Sequence, residues 1–293
     1  MEIIRTILES TLPVFAIVAV GAIYGRRKEL PARQLSDLLV WVLIPCLVLG
    51  SVGGQSIQIE ALWGIGLAAM AVVLGCGLVT WLVFWHRPER RALLLPTMFM
   101  NSANMAFPLA LLAYGELGLT HQVIFYVAIN ILHVTLGVAI ASKKRGLGEI
   151  FRLPLIYTAV IALALAASGH PLPEAVVKPL NLVGRATIPL MLLLLGSRLL
   201  STRLKQVGLA LAASFIRLAI GLAFGLAMVA LLDLDSHARA AVLIGSAMPA
   251  AVLNFVFSEK YDMEPELVAS TVVISTALSI FSIPFVLWWI GPL

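Results

Sequence analysis

Charge is what this sequence has least of. Asp, Glu, Lys and Arg together make up 12 % of the 293 residues, hydrophobic residues make up 61 %, and the mean hydropathy is +1.02. An ordinary soluble domain is about 25 % charged. So sparse a polar surface excludes a soluble enzyme, a nucleic-acid binder and a disordered chain, and leaves a polytopic helical membrane protein. Cysteine is nearly absent. Cys46 and Cys76 lie in apolar stretches without metal-like spacing or a disulfide framework. No Asp or Glu stands at the centre of an apolar run, so a paired-carboxylate site for cation exchange is not expected. There is no Walker-type glycine loop to cradle ATP. Span-embedded Glu/His metal motifs and Ser/His/Asp combinations at membrane depth are also missing. No metal, no cofactor and no enzymatic activity are therefore expected. Met1 to Ser10 lack the basic segment that opens a cleaved signal peptide.

What is present is a series of apolar runs bounded by charge or by Gly and Pro. A helical span needs about 20 apolar residues. The runs predict ten spans, near 7–25, 35–53, 61–85, 92–115, 120–141, 153–169, 180–200, 207–232, 238–258 and 266–290. Stretches such as Leu190 to Leu195 lack the alternation of a membrane barrel strand. Of the 20 Lys and Arg residues, 15 fall in alternate loops, around 26–33, 87–91, 143–152, 198–205 and at Lys260. Three fall on the other side (Arg5, Lys178 and Arg239), and Arg185 and Arg217 lie within spans. The positive-inside bias then predicts a multi-pass protein of the plasma (inner) membrane with both termini on the non-cytoplasmic side. The acidic loop 259–266 is the one dissenting feature. The net charge of +5 reflects orientation and lipid contact rather than nucleic acid.

The chain also resembles itself. Pro13 and Pro154, Pro45 and Pro189, Leu67-Ala68-Ala69 and Leu211-Ala212-Ala213, and Pro108 and Pro249 run in order at offsets of 141 to 144 residues. The implied repeat is five spans, 1–147 and 148–293. An odd number inverts the second copy, the architecture typical of secondary transporters.

The fourth and ninth spans hold the most informative residues. Asn101, Asn104 and Pro108 share one helical face, and the Pro108 ring clashes with the Asn104 carbonyl. Ser246, Pro249 and Asn254 supply the same ingredients in the second half. One proline by itself would only kink a packed helix. A matched pair of interruptions points to a transport site, at which two half-helix N-termini would favour an anion. In the fifth span Asn130 and His133 lie one turn apart. His133 either binds a carboxylate, carries a coupled proton, or rests neutral on a backbone carbonyl. Thr271, Ser275, Ser279 and Ser282 form a polar stripe of the kind that glues helices together. Arg185 is expected to reach the interface, and Arg217 needs an acidic or backbone partner or a water-filled path.

The run Asn101-Ser102-Ala103-Asn104-Met105-Ala106-Phe107-Pro108, with Ser246 through Asn254-Phe255 to Tyr261, resembles the auxin efflux carrier family. That family includes bacterial malate or malonate permeases and plant PIN-type auxin exporters, and the resemblance covers essentially the whole chain. It implies an all-α membrane protein of ten helices in an inverted 5+5 arrangement, with broken helices 4 and 9 crossing at Pro108 and Pro249. It further implies elevator-like transport of organic anions, with Asn101, Asn104 and Asn254 as polar contacts. The central loop is short, and Ala106 stands where many members have glycine. The expected ligand is a small organic anion, bound by residues drawn from Asn101, Asn104, Pro108, Asn130, His133, Ser246, Pro249 and Asn254. Membrane lipid is the other expected partner, and a homodimer is compatible with the sequence. Similar crossovers in bile-acid symporters and sodium/proton antiporters leave a proton- or sodium-coupled carrier of another substrate class open, and a membrane-embedded non-transport protein is the remaining alternative.

Overall fold

The computed structural model describes residues 2–28, 31–141, 154–199 and 204–291. Helix accounts for 82 % of them, without a strand among the described residues. The helices are α1 (Glu2–Arg27), α2 (Ala32–Leu38, continued by a π turn at Leu39–Leu43 into Ile44–Ser51), α3 (Ile59–Val83), α4 (Arg90–Met98) and α5 (Ala106–Leu132, continued by a π turn at His133–Gly137 into Val138–Ala141). After these come α6 (Pro154–Ser168), α7 (Glu174–Gly184), α8 (Thr187–Leu199) and α9 (Val207–Phe215, continued by a π turn at Ile216–Ile220 into Gly221–Leu231). The chain ends with α10 (Ser236–Ser246), α11 (Leu253–Lys260) and α12 (Pro265–Ile290).

Seven helical stretches are long and apolar enough to cross a membrane: Ile7–Arg27, Gln34–Ser51, Ile59–Val83, Ala106–Ala141, Glu174–Arg198, Val207–Leu231 and Pro265–Ile290. The shorter apolar helix Pro154–Ser168 stands beside them. The 36-residue stretch Ala106–Ala141 would be about 54 Å long at 1.5 Å per residue, well beyond a hydrocarbon core of about 30 Å. It is not straight. Gly115 (φ 66°, ψ −160°) breaks the helix, and only glycine adopts that backbone without cost. The basic loop residues Lys143, Lys144, Arg145 and Arg152, and Arg203, lie outside the described residues.

Packing sorts the helices into two groups. In the first, α1 lies along α8, and α2 packs on both α6 and α7. The α1–α8 approach is main chain against main chain. A Cβ at Gly21 would overlap the Leu193 carbonyl, and one at Gly196 would overlap the Val18 carbonyl. Small residues permit such contact between membrane helices, where dispersion rather than hydrophobic burial drives association. In the second group α3 packs against α4, α5, α9 and α10, while α12 packs against α4, α9, α10 and α11. The groups meet where α1 touches α5 and α12, and where α2 touches α5.

Candidate functional site

Two non-helical segments meet inside the second group: 99–105, between α4 and α5, and 247–252, between α10 and α11. They cross antiparallel at Met100 and Ala250. Asn101 N–H donates to the Pro249 carbonyl at 2.7 Å, and Ala251 N–H donates to the Phe99 carbonyl at 3.0 Å. Asn254 Nδ2 adds a bond to the same Phe99 carbonyl at 2.9 Å, and the Ser275 hydroxyl accepts Ala250 N–H at 3.1 Å. Asn101 Oδ1 accepts Asn104 N–H at 3.1 Å, a side chain capping its own chain reversal as Asn does in turns. The crossing thereby satisfies backbone groups that cannot be left bare at membrane depth.

The prolines do different jobs. Pro108 sits in the first turn of α5, where its missing N–H costs nothing. Its clash with a helical carbonyl four residues back limits how early α5 can begin. The break therefore precedes Pro108 instead of surrounding it. Pro249 lies within the break, and its carbonyl is one of the crossing acceptors.

Arg217, on the π turn of α9, is fully buried. Its Nη1 donates to the carbonyls of Thr97 (2.9 Å) and Met98 (3.4 Å), and its Nη2 donates to the Ser246 carbonyl (2.8 Å). These carbonyls close α4 and α10, the ends that carry partial negative charge. Backbone, one of the partners the sequence allowed, is what Arg217 finds. A Cβ at Gly221, one turn on, would overlap the guanidinium and stand 2.7 Å from the Ser246 carbonyl.

A cavity of about 960 Å³ lies between the two groups. Its inner end is the crossing, with Met100, Asn101, Ser102, Ala103 and Asn104 on one segment and Ala251, Val252 and Leu253 on the other. Asn104, two residues ahead of α5, and Leu253, the first residue of α11, border it there, and helix N-termini attract negative charge. Tyr126, Asn130 and His133 of α5 form one wall, facing Leu39 and Ile44 of α2 and Met191 and Leu195 of α8. The far end is charged, with Arg198 beside the exposed Asp37, Glu259 and Glu266. Glu266 is paired with Lys205. The His133 ring stacks on Phe99 (centroids 4.2 Å apart) and meets the edge of Phe257. Asn101 Nδ2 and His133 Nε2 are buried without a hydrogen-bond partner.

Of the residues singled out in the sequence, Asn101, Asn104, Asn130 and His133 come together on the cavity wall. Pro108, Ser246, Pro249 and Asn254 do not line it. Ser246 gives its carbonyl to Arg217, Pro249 gives its carbonyl to Asn101, and Asn254 is wholly buried against Phe99. Tyr126 and Gln122 were missed. Tyr126 OH accepts from Asn130 Nδ2 at 3.3 Å, and Gln122 Nε2 donates to the Ser102 carbonyl at 3.4 Å. The signal was readable, because residues 122, 126, 130 and 133 follow helical spacing on one face. Arg185, whose side chain is about half exposed, pairs with Glu116 at 2.6 Å.

A family model described as membrane transport protein matches residues 143–287. An uncharacterized transporter of Methanocaldococcus jannaschii is 25 % identical over 304 residues, covering 97 % of this chain and 98 % of the relative. An uncharacterized transporter of Methanothermobacter thermautotrophicus is 25 % identical over 295 residues, covering 96 % of each. With several apolar helices of spanning length behind it, the chain is a multi-pass membrane protein whose second half matches the membrane transport protein family, the auxin efflux carrier-like family that its two breaks resemble.

Proposed function

We propose that this protein is a secondary transporter that moves a small organic anion, a carboxylate, by alternating access about the crossing of its two breaks. The observation that carries the reading is the inner end of the cavity. The start of α11 and the segment that leads into α5 border it, and Asn101 Nδ2 is buried there without a partner. An unpaired buried donor costs free energy until something accepts from it. A carboxylate oxygen accepts strongly, and its charge suits helix N-termini.

The inverted five-plus-five arrangement is part of the proposal. Counting Gly115 as the end of one crossing, and each broken pair as one crossing, divides the chain into ten. Matched packing supports the inversion: α1 lies on α8 much as α6 lies on α2, and the two breaks occur at corresponding places in the two halves. In this reading α1, α2, α6, α7 and α8 form the scaffold, and the group holding the crossing slides against it. With the basic loops cytoplasmic, the charged end of the cavity at Asp37, Arg198 and Glu259 faces the cytoplasm, and the structure is an inward-open state.

Uptake into proteoliposomes of acetate, benzoate, malonate and malate tests the reading. At least one is carried by the wild type, and Asn104→Ala and Asn130→Ala reduce its uptake. Undiminished uptake by both variants would remove the site assignment. Proton coupling is the second reading, favoured by the buried unpartnered Nε2 of His133 on the cavity wall. It requires uptake to follow an imposed pH gradient, and His133→Gln to abolish that dependence.

A further inference from the structure

We propose that Arg217 is the resident countercharge of the crossing, occupying the position that a coupling cation would otherwise fill. The inference rests on the transport reading above and extends it to coupling. Half-helix C-termini at membrane depth are where carriers coordinate sodium or a proton. Here α4 ends at Met98 and α10 ends at Ser246. Their terminal carbonyls, from Thr97, Met98 and Ser246, all accept from one guanidinium at 2.8–3.4 Å. That group carries one positive charge, as a sodium ion does, but it is tethered to the protein. Its planar fork lets Nη1 serve one helix and Nη2 the other, a geometry a lysine ammonium does not reproduce.

The position is built for this group. Arg217 is wholly buried, and no carboxylate pairs with it among the described residues. The two negative helix ends are its counterions. Gly221 leaves room for the guanidinium, and Gly225 leaves room for the Ser246 side chain, whose hydroxyl a Cβ there would overlap. A buried charge needs hydrogen bonds of good geometry; Nη1 and Nη2 find three carbonyl acceptors on two separate helices, while Nε is left without a partner. It follows that no sodium ion is needed between α4 and α10. The crossing stays closed through the cycle because its cation never leaves.

The test compares guanidinium with urea, which has the same planar shape and no charge. Thermal unfolding of purified Arg217→Ala is followed in detergent with millimolar guanidinium chloride or urea, at constant ionic strength set by choline chloride. Guanidinium stabilises the variant saturably and is about tenfold or more effective than urea, the margin a charge-assisted hydrogen bond holds over a neutral one. Wild type responds to neither, and Arg217→Lys unfolds at a midpoint between wild type and Arg217→Ala. Should Arg217→Ala yield no folded protein, Arg217→Gln carries the same comparison. In proteoliposomes, wild-type uptake of the panel carboxylates is equal in sodium and in choline. Equal effects of guanidinium and urea, no effect of either, or a sodium requirement in the wild type would each overturn the proposal. Failure of the wild type to carry any carboxylate would instead sink the transport reading and leave the guanidinium–urea contrast standing.

Discussion

Asn101→Asp exchanges one amide nitrogen for an oxygen at the inner end of the cavity. The residue is 3 % exposed. Its Oδ1 holds Asn104 N–H at 3.1 Å, and its Nδ2 has no partner. Aspartate keeps the acceptor, and a carboxylate ahead of the α5 N-terminus gains about 0.3–1 kcal/mol from the helix dipole. That gain is smaller than the cost of burying a carboxylate without a cationic partner, so the unfolding midpoint falls below that of the wild type. Anion binding suffers far more. The donor to the ligand disappears, at a cost of about 1.5–3 kcal/mol for a hydrogen bond to a charged group. Two like charges about 4 Å apart add roughly 4 kcal/mol of repulsion at an effective dielectric constant near 20. Carboxylate affinity should therefore fall at least about tenfold from the lost bond alone, and about a thousandfold further from the charge. Equilibrium binding of a radiolabelled carboxylate to purified protein, with a thermal unfolding scan of the same samples, reads both quantities. A stable Asn101→Asp that binds the carboxylate as tightly as the wild type would refute the reasoning.

Asn254→Ala and Asn104→Ala should behave oppositely. The first loses a wholly buried bond to the Phe99 carbonyl and should destabilise the protein by about 1–3 kcal/mol. The second touches a half-buried cavity residue and should weaken binding while leaving the unfolding midpoint in place. Gly196→Ala drives a methyl group into the Val18 carbonyl and should cost about 1–3 kcal/mol through overpacking, seen as a lowered unfolding midpoint with retained ligand response. Asp235→Ala removes a cap that accepts His237 N–H at 2.8 Å and Ala238 N–H at 3.0 Å at the start of α10, and should cost about 0.5–2 kcal/mol. An unchanged midpoint in that variant would show that the cap does not hold the helix.

The sequence made the helices legible because apolar runs of spanning length have one stable form in lipid. It also made the breaks legible. Asn, Ser and Pro disfavour a helix interior for identifiable reasons, and both non-helical segments fall on the stretches they mark. The division of labour among those residues was not legible. Asn101 and Asn254 look alike in the sequence, yet one borders the cavity and the other ties Phe99. The difference depends on which way the crossing turns each side chain, a tertiary matter. Arg217 was recognisable as an anomaly but not as a clamp, because its acceptors lie 29, 119 and 120 residues away. The boundary between the spans read at 92–115 and 120–141 was legible, because Glu116 interrupts the apolar run and Gly115 beside it takes the φ of 66° that breaks the helix.

The central claim is that the crossing receives an anion, and paired ligands of matched shape test it most directly. Thermal unfolding of the wild-type protein in detergent is measured with benzoate against benzamide and with malonate against malonamide. A ligand that binds the folded state raises its stability in proportion to the logarithm of concentration over Kd. The account predicts saturable stabilisation by at least one carboxylate, none by its amide, and loss of the effect in Asn101→Asp. Equal stabilisation by a carboxylate and its amide, or a carboxylate response that persists in Asn101→Asp, would contradict it.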